Sequence, residues 1–276
     1  MTKKVKTLSL LAASTALFFA SATPAFSQSA QTRSLEYNVF AGGVEALRAD
    51  FDIAEKNSGQ TEIDVEVETD GFIGTLFPWE GTYKTIGANL DPVFRPDQHT
   101  STTEWRGDPK YKTLTFQDGR AVSYSEVKGK DRVQKNDIAP EMTENAVDLL
   151  SGLMILFNKV EAENTCNTAA TVFDGKRKFN VQLTDPVQDQ VTASEYSRYT
   201  GPALRCTITV VPLEGFSERD QDKGWMAVQN HTAKRGKLPQ IWFADLFNDS
   251  AMLPVRMEIN SAYGGVVAHL AQYSAE

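Results

Sequence analysis

The feature that most constrains this chain is a hydrophobic period of two. Ile63, Val65 and Val67 alternate with Glu62, Asp64, Glu66 and Glu68, so apolar and charged side chains take turns. Successive residues of a β-strand point to opposite faces, so such a segment buries one face and wets the other. Leu35, Tyr37 and Val39 repeat the pattern against Glu36 and Asn38, and Leu47, Ala49, Phe51 and Ile53 against Arg48, Asp50 and Asp52. It returns at Phe179, Val181 and Leu183, at Leu204, Cys206, Ile208 and Val210, and at Val255, Met257 and Ile259. Turn signals separate the runs, at Gly42-Gly43, Asn57-Ser58-Gly59, Asp118-Gly119, Asp174-Gly175 and Gly264-Gly265. The expectation is a mainly β fold: an antiparallel curled sheet, or a spiral or half-open β-barrel.

One segment breaks the period. In 143–160, Val147, Leu150, Met154 and Phe157 recur at helical spacing, with Thr143 as a cap and Asp137-Ile138-Ala139-Pro140 as the approach. This predicts one central amphipathic helix, packed on or plugging the sheet, between a first half at 34–128 and a second at 166–273. The helix is too apolar for a free linker, which favours one domain. An outer-membrane barrel fits poorly, because the polar faces are dense in charge and the chain ends Tyr-Ser-Ala-Glu rather than on an aromatic residue.

The start of the chain reads as an export signal. Lys3, Lys4 and Lys6 precede an apolar run at 8–20, and Ala25-Phe26-Ser27 offers a small-x-small cleavage site. Residues 1–27 are expected to leave, with cleavage after Ser29 as the alternative, and 28–276 to form one β-rich periplasmic domain. Losing three lysines takes the formal net charge from −8 to −11. That balance argues against nucleic acid, which needs clustered cations, and against unaided binding to anionic membranes. Cys166 and Cys206 are the only cysteines, and in an oxidising compartment they are expected to form one disulfide, contributing about 4 kcal/mol in the loop-entropy model.

Catalytic chemistry leaves little trace. His99, His231 and His269 are the only histidines, and they are far apart in sequence. No phosphate-binding, dinucleotide-binding or zinc-protease motif is present, and Ser125 with Lys128 matches S-x-x-K on a strand pattern rather than a helix. The acidic run 218–223 reads as a solvated hairpin tip and 234–237 as a short basic turn. No catalytic residue, metal ligand or cofactor is assigned. A hydrolase would need one of the histidines beside a nucleophile or carboxylate in a cleft.

The stretch 71–81 (GFIGTLFPWEG) is more informative, because it sets large apolar side chains among glycines and a proline. It reads either as core folded over the open end of a sheet or as a mobile flap over an apolar cavity. On the second reading the ligand-lining residues are Phe72, Ile73, Leu76, Phe77, Trp79, Trp105, Leu150, Met154 and Phe157, with Trp225 and Trp242 as further interior candidates.

Taken together, these segments resemble an exported proteobacterial family, domain of unknown function 3108. The resemblance rests on Tyr37-Asn38-Val39-Phe40-Ala41-Gly42-Gly43, the 71–81 stretch and the helix at 148–156. It continues through Cys166, Val172-Phe173-Asp174-Gly175-Lys176-Arg177, Tyr199-Thr200-Gly201-Pro202-Ala203-Leu204-Arg205-Cys206 and Leu253-Pro254-Val255-Arg256-Met257-Glu258. It implies a secreted curled sheet like that of the periplasmic lipoprotein carriers, in which an apolar concave face holds acyl chains under a helical lid. The functional expectation is a non-enzymatic cell-envelope protein binding a lipid or other hydrophobic ligand inside the sheet. The alternative is an envelope scaffold with a packed core and a protein partner, marked by an apolar patch on its outside.

Overall fold

The computed structural model of the chain describes residues 31–90, 92–261 and 264–276; the expected export signal and both cleavage positions lie outside the described residues. Among the described residues, fourteen strands form one antiparallel sheet. The first eight are β1 (Gln31–Ala41), β2 (Val44–Glu55), β3 (Thr61–Thr69), β4 (Trp79–Asn89), β5 (Phe94–Trp105), β6 (Asp108–Gln117), β7 (Arg120–Lys128) and β8 (Asp131–Lys135). The other six are β9 (Thr168–Phe173), β10 (Lys178–Val191), β11 (Gly201–Glu214), β12 (Gln240–Asp245), β13 (Met252–Ser261) and β14 (Gly264–Ala275). In space the order is β8 to β1, then β14 back to β9. From β1 in mid-sheet the described chain runs out to one edge, crosses over, and returns from the other edge until β14 pairs with β1. The sheet is curled but open, with β8 and β9 as its edges rather than partners, so the described residues form no closed barrel.

Among the described residues four helices accompany the sheet, where the sequence predicted one: α1 (Gly71–Leu76), α2 (Pro140–Thr143), α3 (Leu149–Glu163) and α4 (Gly224–Ala233). The central helix starts later than predicted. Asp148, not Thr143, is its cap, accepting from Leu150 N at 3.0 Å and Ser151 N at 3.1 Å. Val147 is extended and bridges to β9, its amide donating to Thr171 O (3.0 Å) and its carbonyl accepting from Phe173 N (2.8 Å). A backbone committed to a sheet cannot also make the i→i−4 bonds of a helix. α4 escaped sequence reading because only Met226 and Thr232 of it are buried, which leaves no apolar stripe to see. The acidic run before it is a 3₁₀ turn at Glu218–Asp220, closed by a Ser217/Asp220 capping box, rather than a hairpin tip.

α3 fills the curl. It touches β9 and β13 of the second half and β4 and β5 of the first. Leu150, Met154, Leu156, Phe157 and Val160 are all buried. Phe157 meets Phe51 with ring centroids 6.2 Å apart and Phe243 at 5.7 Å, which ties β2 and β12 to one helix. Directly after α3, Cys166 and Cys206 form the disulfide, with Cα atoms 5.6 Å apart, and staple the helix exit to β11.

A smaller cluster of Leu114, Phe116, Ala121, Tyr124, Ala146 and Phe173 brings β6 and β7 against β9, although no backbone ladder joins them. The turn after β9 supplies Gly175 at φ +93°, and a Cβ there would stand 2.1 Å from the Tyr124 ring. Only glycine satisfies both the left-handed backbone and that approach. Beside it Glu126 accepts from Tyr124 OH (2.5 Å) and pairs with Lys176 (3.0 Å) and Lys110 (3.1 Å). Burial pushes this carboxyl up, but the hydrogen bonds from Tyr124, Lys176 and Lys110 outweigh it and hold the pKa down at about 2.

Candidate functional site

The residues named from sequence as ligand-lining separate into two places. Leu150, Met154 and Phe157 are core, packed between the two halves of the sheet. Phe72, Leu76, Phe77 and Trp105 stand exposed at one end of the first half. Ile73 and Trp79 are partly covered at that same end. Trp242 is buried on β12 with the guanidinium groups of Arg205 and Arg256 over its ring, and Trp225 packs at the margin of the core from α4. The structure thus brings Leu150, Met154 and Phe157 together and keeps them away from the 71–81 stretch.

The polar anchor at the start of α3 was not legible in sequence. Asp148 is 1% exposed and Thr85 0%, yet both are polar. Thr85 Oγ1 donates to Asp148 Oδ1 at 2.8 Å and lies 2.8 Å from His99 Nδ1. The one proton of the hydroxyl goes to Asp148, so His99 Nδ1–H donates to the Thr85 oxygen. Ser151 Oγ donates to Asp148 Oδ2 at 2.5 Å, and His99 Nδ1 is 3.3 Å from Oδ1. Burial pushes the Asp148 carboxyl up, but the hydrogen bond and charge of His99, with the Ser151 and Thr85 hydroxyls, hold it below its ordinary value.

Thr85, His99 and Asp148 have the composition of a catalytic triad but not its wiring. A triad places the hydroxyl on one imidazole nitrogen and the carboxylate on the other. Here both partners face Nδ1, and the hydroxyl and carboxylate are sealed from substrate. The arrangement is a capping network that locks α3 to β4 and β5.

At the exposed end, Asp70 caps α1 by accepting from Gly71 N, and no residue of α1 is buried. The helix is pressed close to the end of β3: a Cβ on Gly74 would stand 2.5 Å from Thr69 O. Thr69 Oγ1 shares its one proton between the carbonyls of Phe77 (3.0 Å) and Trp79 (3.1 Å) and accepts from Trp79 N (2.9 Å). Arg106, in the β5–β6 turn, donates to Leu76 O at 3.5 Å and lies 5.7 Å over the Trp105 ring. Together these bonds hold α1 and the hairpin tip as one rim, with Phe72 69% exposed. A hollow of about 240 Å³ opens beside it, lined among others by Glu68, Glu80, Glu104, Trp79 and Arg106.

Two further hollows lie elsewhere on the surface. One of about 540 Å³ is lined by Asp185, Arg205, Lys237, Gln240 and Glu258 among others, beneath the loop after α4. The other, about 600 Å³, lies on the acidic face around Glu36, Asp50, Asp52, Asp64, Glu66 and Lys84. His231 Nε2 and His269 Nδ1 are buried without hydrogen-bond partners among the described residues. Burial, then the charge of Arg256, hold His269 below the ordinary histidine value. Ser125 and Lys128 sit on β7, not on a helix. Among the described residues no group of three or more His, Cys, Asp and Glu side chains is placed to hold a metal ion, and no helix is long and apolar enough to cross a membrane.

No curated protein and no solved structure matches the chain. The model of the family described as "Protein of unknown function (DUF3108)" matches residues 36–271, which takes in β2 to β13 whole, parts of β1 and β14, the α1 rim and α3. The chain therefore belongs to the DUF3108 family.

Proposed function

We propose that this chain is an exported, non-enzymatic protein of the cell envelope that works by surface contact, holding a protein partner at the α1 rim. The observation that carries this reading is the filled curl. Leu150, Met154 and Phe157 occupy the space an enclosed ligand would need, while Phe72, Leu76 and Phe77 remain in water. Large apolar side chains left exposed in one place mark contact surfaces more often than chance exposure. Export fits the basic and apolar start of the sequence and the Cys166–Cys206 disulfide. The test is a photo-crosslinking amino acid at position 72 in the producing cell. One dominant adduct, lost on moving the probe to position 50, is expected; no adduct above that control sinks the reading.

A second reading keeps a lipid or other hydrophobic ligand inside the sheet, with α3 as a lid that swings out. Its support is that one helix provides the central filling of a sheet whose edge strands β8 and β9 no ladder joins. Native mass spectrometry of freshly purified protein separates the two. An acyl-bearing adduct removed by detergent favours the enclosed ligand, and a bare mass favours surface contact.

A further inference from the structure

We infer that the α1 rim takes a polypeptide segment in which apolar side chains are flanked by lysine or arginine. This deepens the surface-contact reading and rests on it. The apolar half of the argument is Phe72, Leu76, Phe77 and Trp105, brought to one rim by the bonds of Arg106 to Leu76 and Trp105.

The charged half comes from strand register. Glu68 on β3 stands directly opposite Glu80 on β4, and Glu80 directly opposite Glu104 on β5. Like charges facing each other across strands destabilise a sheet. The same opposition recurs along the outer face, where Glu36 faces Asp50, Asp50 faces Glu66 and Asp52 faces Asp64. There Lys84, opposite Asp64, pairs with both Asp64 and Glu62, and no exposed apolar helix adjoins the acids. At the rim Arg48 on β2 stands opposite Glu68 but pairs with Glu36 and Asp70, and among the described residues no cation stands opposite Glu80 or Glu104. None of Glu68, Glu80 and Glu104 forms an ion pair among the described residues, and Arg106 is the one cation of these that lines their hollow.

Three uncompensated carboxylates beside an exposed apolar helix define what fits. Apolar side chains of the partner cover Phe72, Leu76 and Phe77, and a partner Lys or Arg enters the hollow and relieves the glutamate row. An acidic peptide is repelled there, and so is an anionic lipid surface. A neutral lipid surface would use the apolar side chains but gain nothing from the glutamates.

The experiment uses the mature chain and three fluorescent probes: an amphipathic peptide of Leu and Lys, the same pattern in Leu and Glu, and phosphatidylcholine vesicles. Only the Leu/Lys peptide is expected to bind. Glu80→Lys, or Glu104→Lys as a second variant, should weaken it about tenfold or more, as should Phe72→Ser with Leu76→Ser. Asp50→Lys, on the acidic face away from the rim, should leave it within about twofold, which separates the rim from general attraction to an acidic protein. Equal binding of the Leu/Glu peptide, or no loss in both lysine variants, overturns the charged part while the crosslink at position 72 still stands for surface contact. Vesicle binding lost on Phe72→Ser, without peptide binding, overturns the inference in favour of a lipid surface. Failure of every probe, with no crosslink, removes both it and the reading beneath it.

Discussion

The two halves of the sheet are built from the same antiparallel ladder, yet they are covered differently. In the second half, β12 and residues 203–208 of β11 are largely buried on both faces: α3 and the disulfide lie within, and α4 packs on β11 and β13. Trp242 on the outer side is nearly as inaccessible as its neighbour Phe243 on the inner side. In the first half, β2 and β3 bury Phe51, Ile53 and Ile63 inward and carry Asp50, Asp52, Asp64 and Glu66 outward. A strand sandwiched between layers loses its fixing contacts if either layer changes. A strand with one wet face can vary that face at little cost. The comparison assigns stability to the second half with α3, and freedom to evolve contacts to the first half and its rim.

The largest effect should come from the helix that both halves share. Phe157→Ala removes a ring that meets Phe51 and Phe243, and should cost about 3–5 kcal/mol in chemical denaturation. A cost below about 1 kcal/mol would mean that α3 is loosely held, which breaks the comparison and revives the lid reading. Next comes the staple of the second half. Replacing both Cys166 and Cys206 by Ser should cost about 2–4 kcal/mol by the same measurement. Trypsin cleavage should then begin in 164–200 rather than in the first half; early nicking in β2 or β3 would reverse the assignment.

A smaller effect is expected at the anchor between the halves. Asp148→Asn keeps the shape but loses the Oδ2 acceptor of Ser151 Oγ and the carboxylate charge beside His99, and should cost about 1–3 kcal/mol at neutral pH. The pH dependence has a definite sign. Asp148 titrates lower folded than unfolded, so its contribution is present above the ordinary carboxylate range, about pH 4, and is lost as pH falls through the folded value. Glu126, with a folded pKa of about 2, acts in the same direction at the β7–β9 contact. Urea midpoints measured down to low pH should therefore show the penalty of Asp148→Asn shrinking with acid. A constant penalty would mean the carboxylate charge is not what the anchor uses.

How much of this was legible in sequence follows from what each signal encodes. The strands were visible because Ile63, Val65 and Val67 face the core while their neighbours face water, a local contrast. α3 was visible because its apolar face is wide, but its start was misplaced, since the parallel bridge of Val147 to Val172 pairs residues distant in sequence. The anchor was invisible for the same reason: Thr85, His99, Asp148 and Ser151 share no spacing, and a buried threonine looks like any strand threonine. The 71–81 stretch stands out in sequence by its apolar side chains among glycines, but sequence does not say whether they turn in or out. That depended on α3 having already filled the inside. Opposed glutamates on β3, β4 and β5 are a matter of register, which alternation alone does not fix.

The smallest effects, and the sharpest use of the comparison, belong to the rim. Phe72→Ser removes a side chain that is 69% exposed, so stability should move by no more than about 0.5 kcal/mol. Glu80→Lys should do the unusual thing and stabilise, by about 0.2–1 kcal/mol, because it sets a cation between Glu68 and Glu104. A gain would report the repulsion within the row directly. Thermal melts at low and high salt give the check. The gain from Glu80→Lys should fade as salt screens the row, and a salt-independent gain would trace it to strand propensity instead. If Glu80→Lys destabilises, the three carboxylates are already compensated and a partner cation has nothing to relieve at the rim.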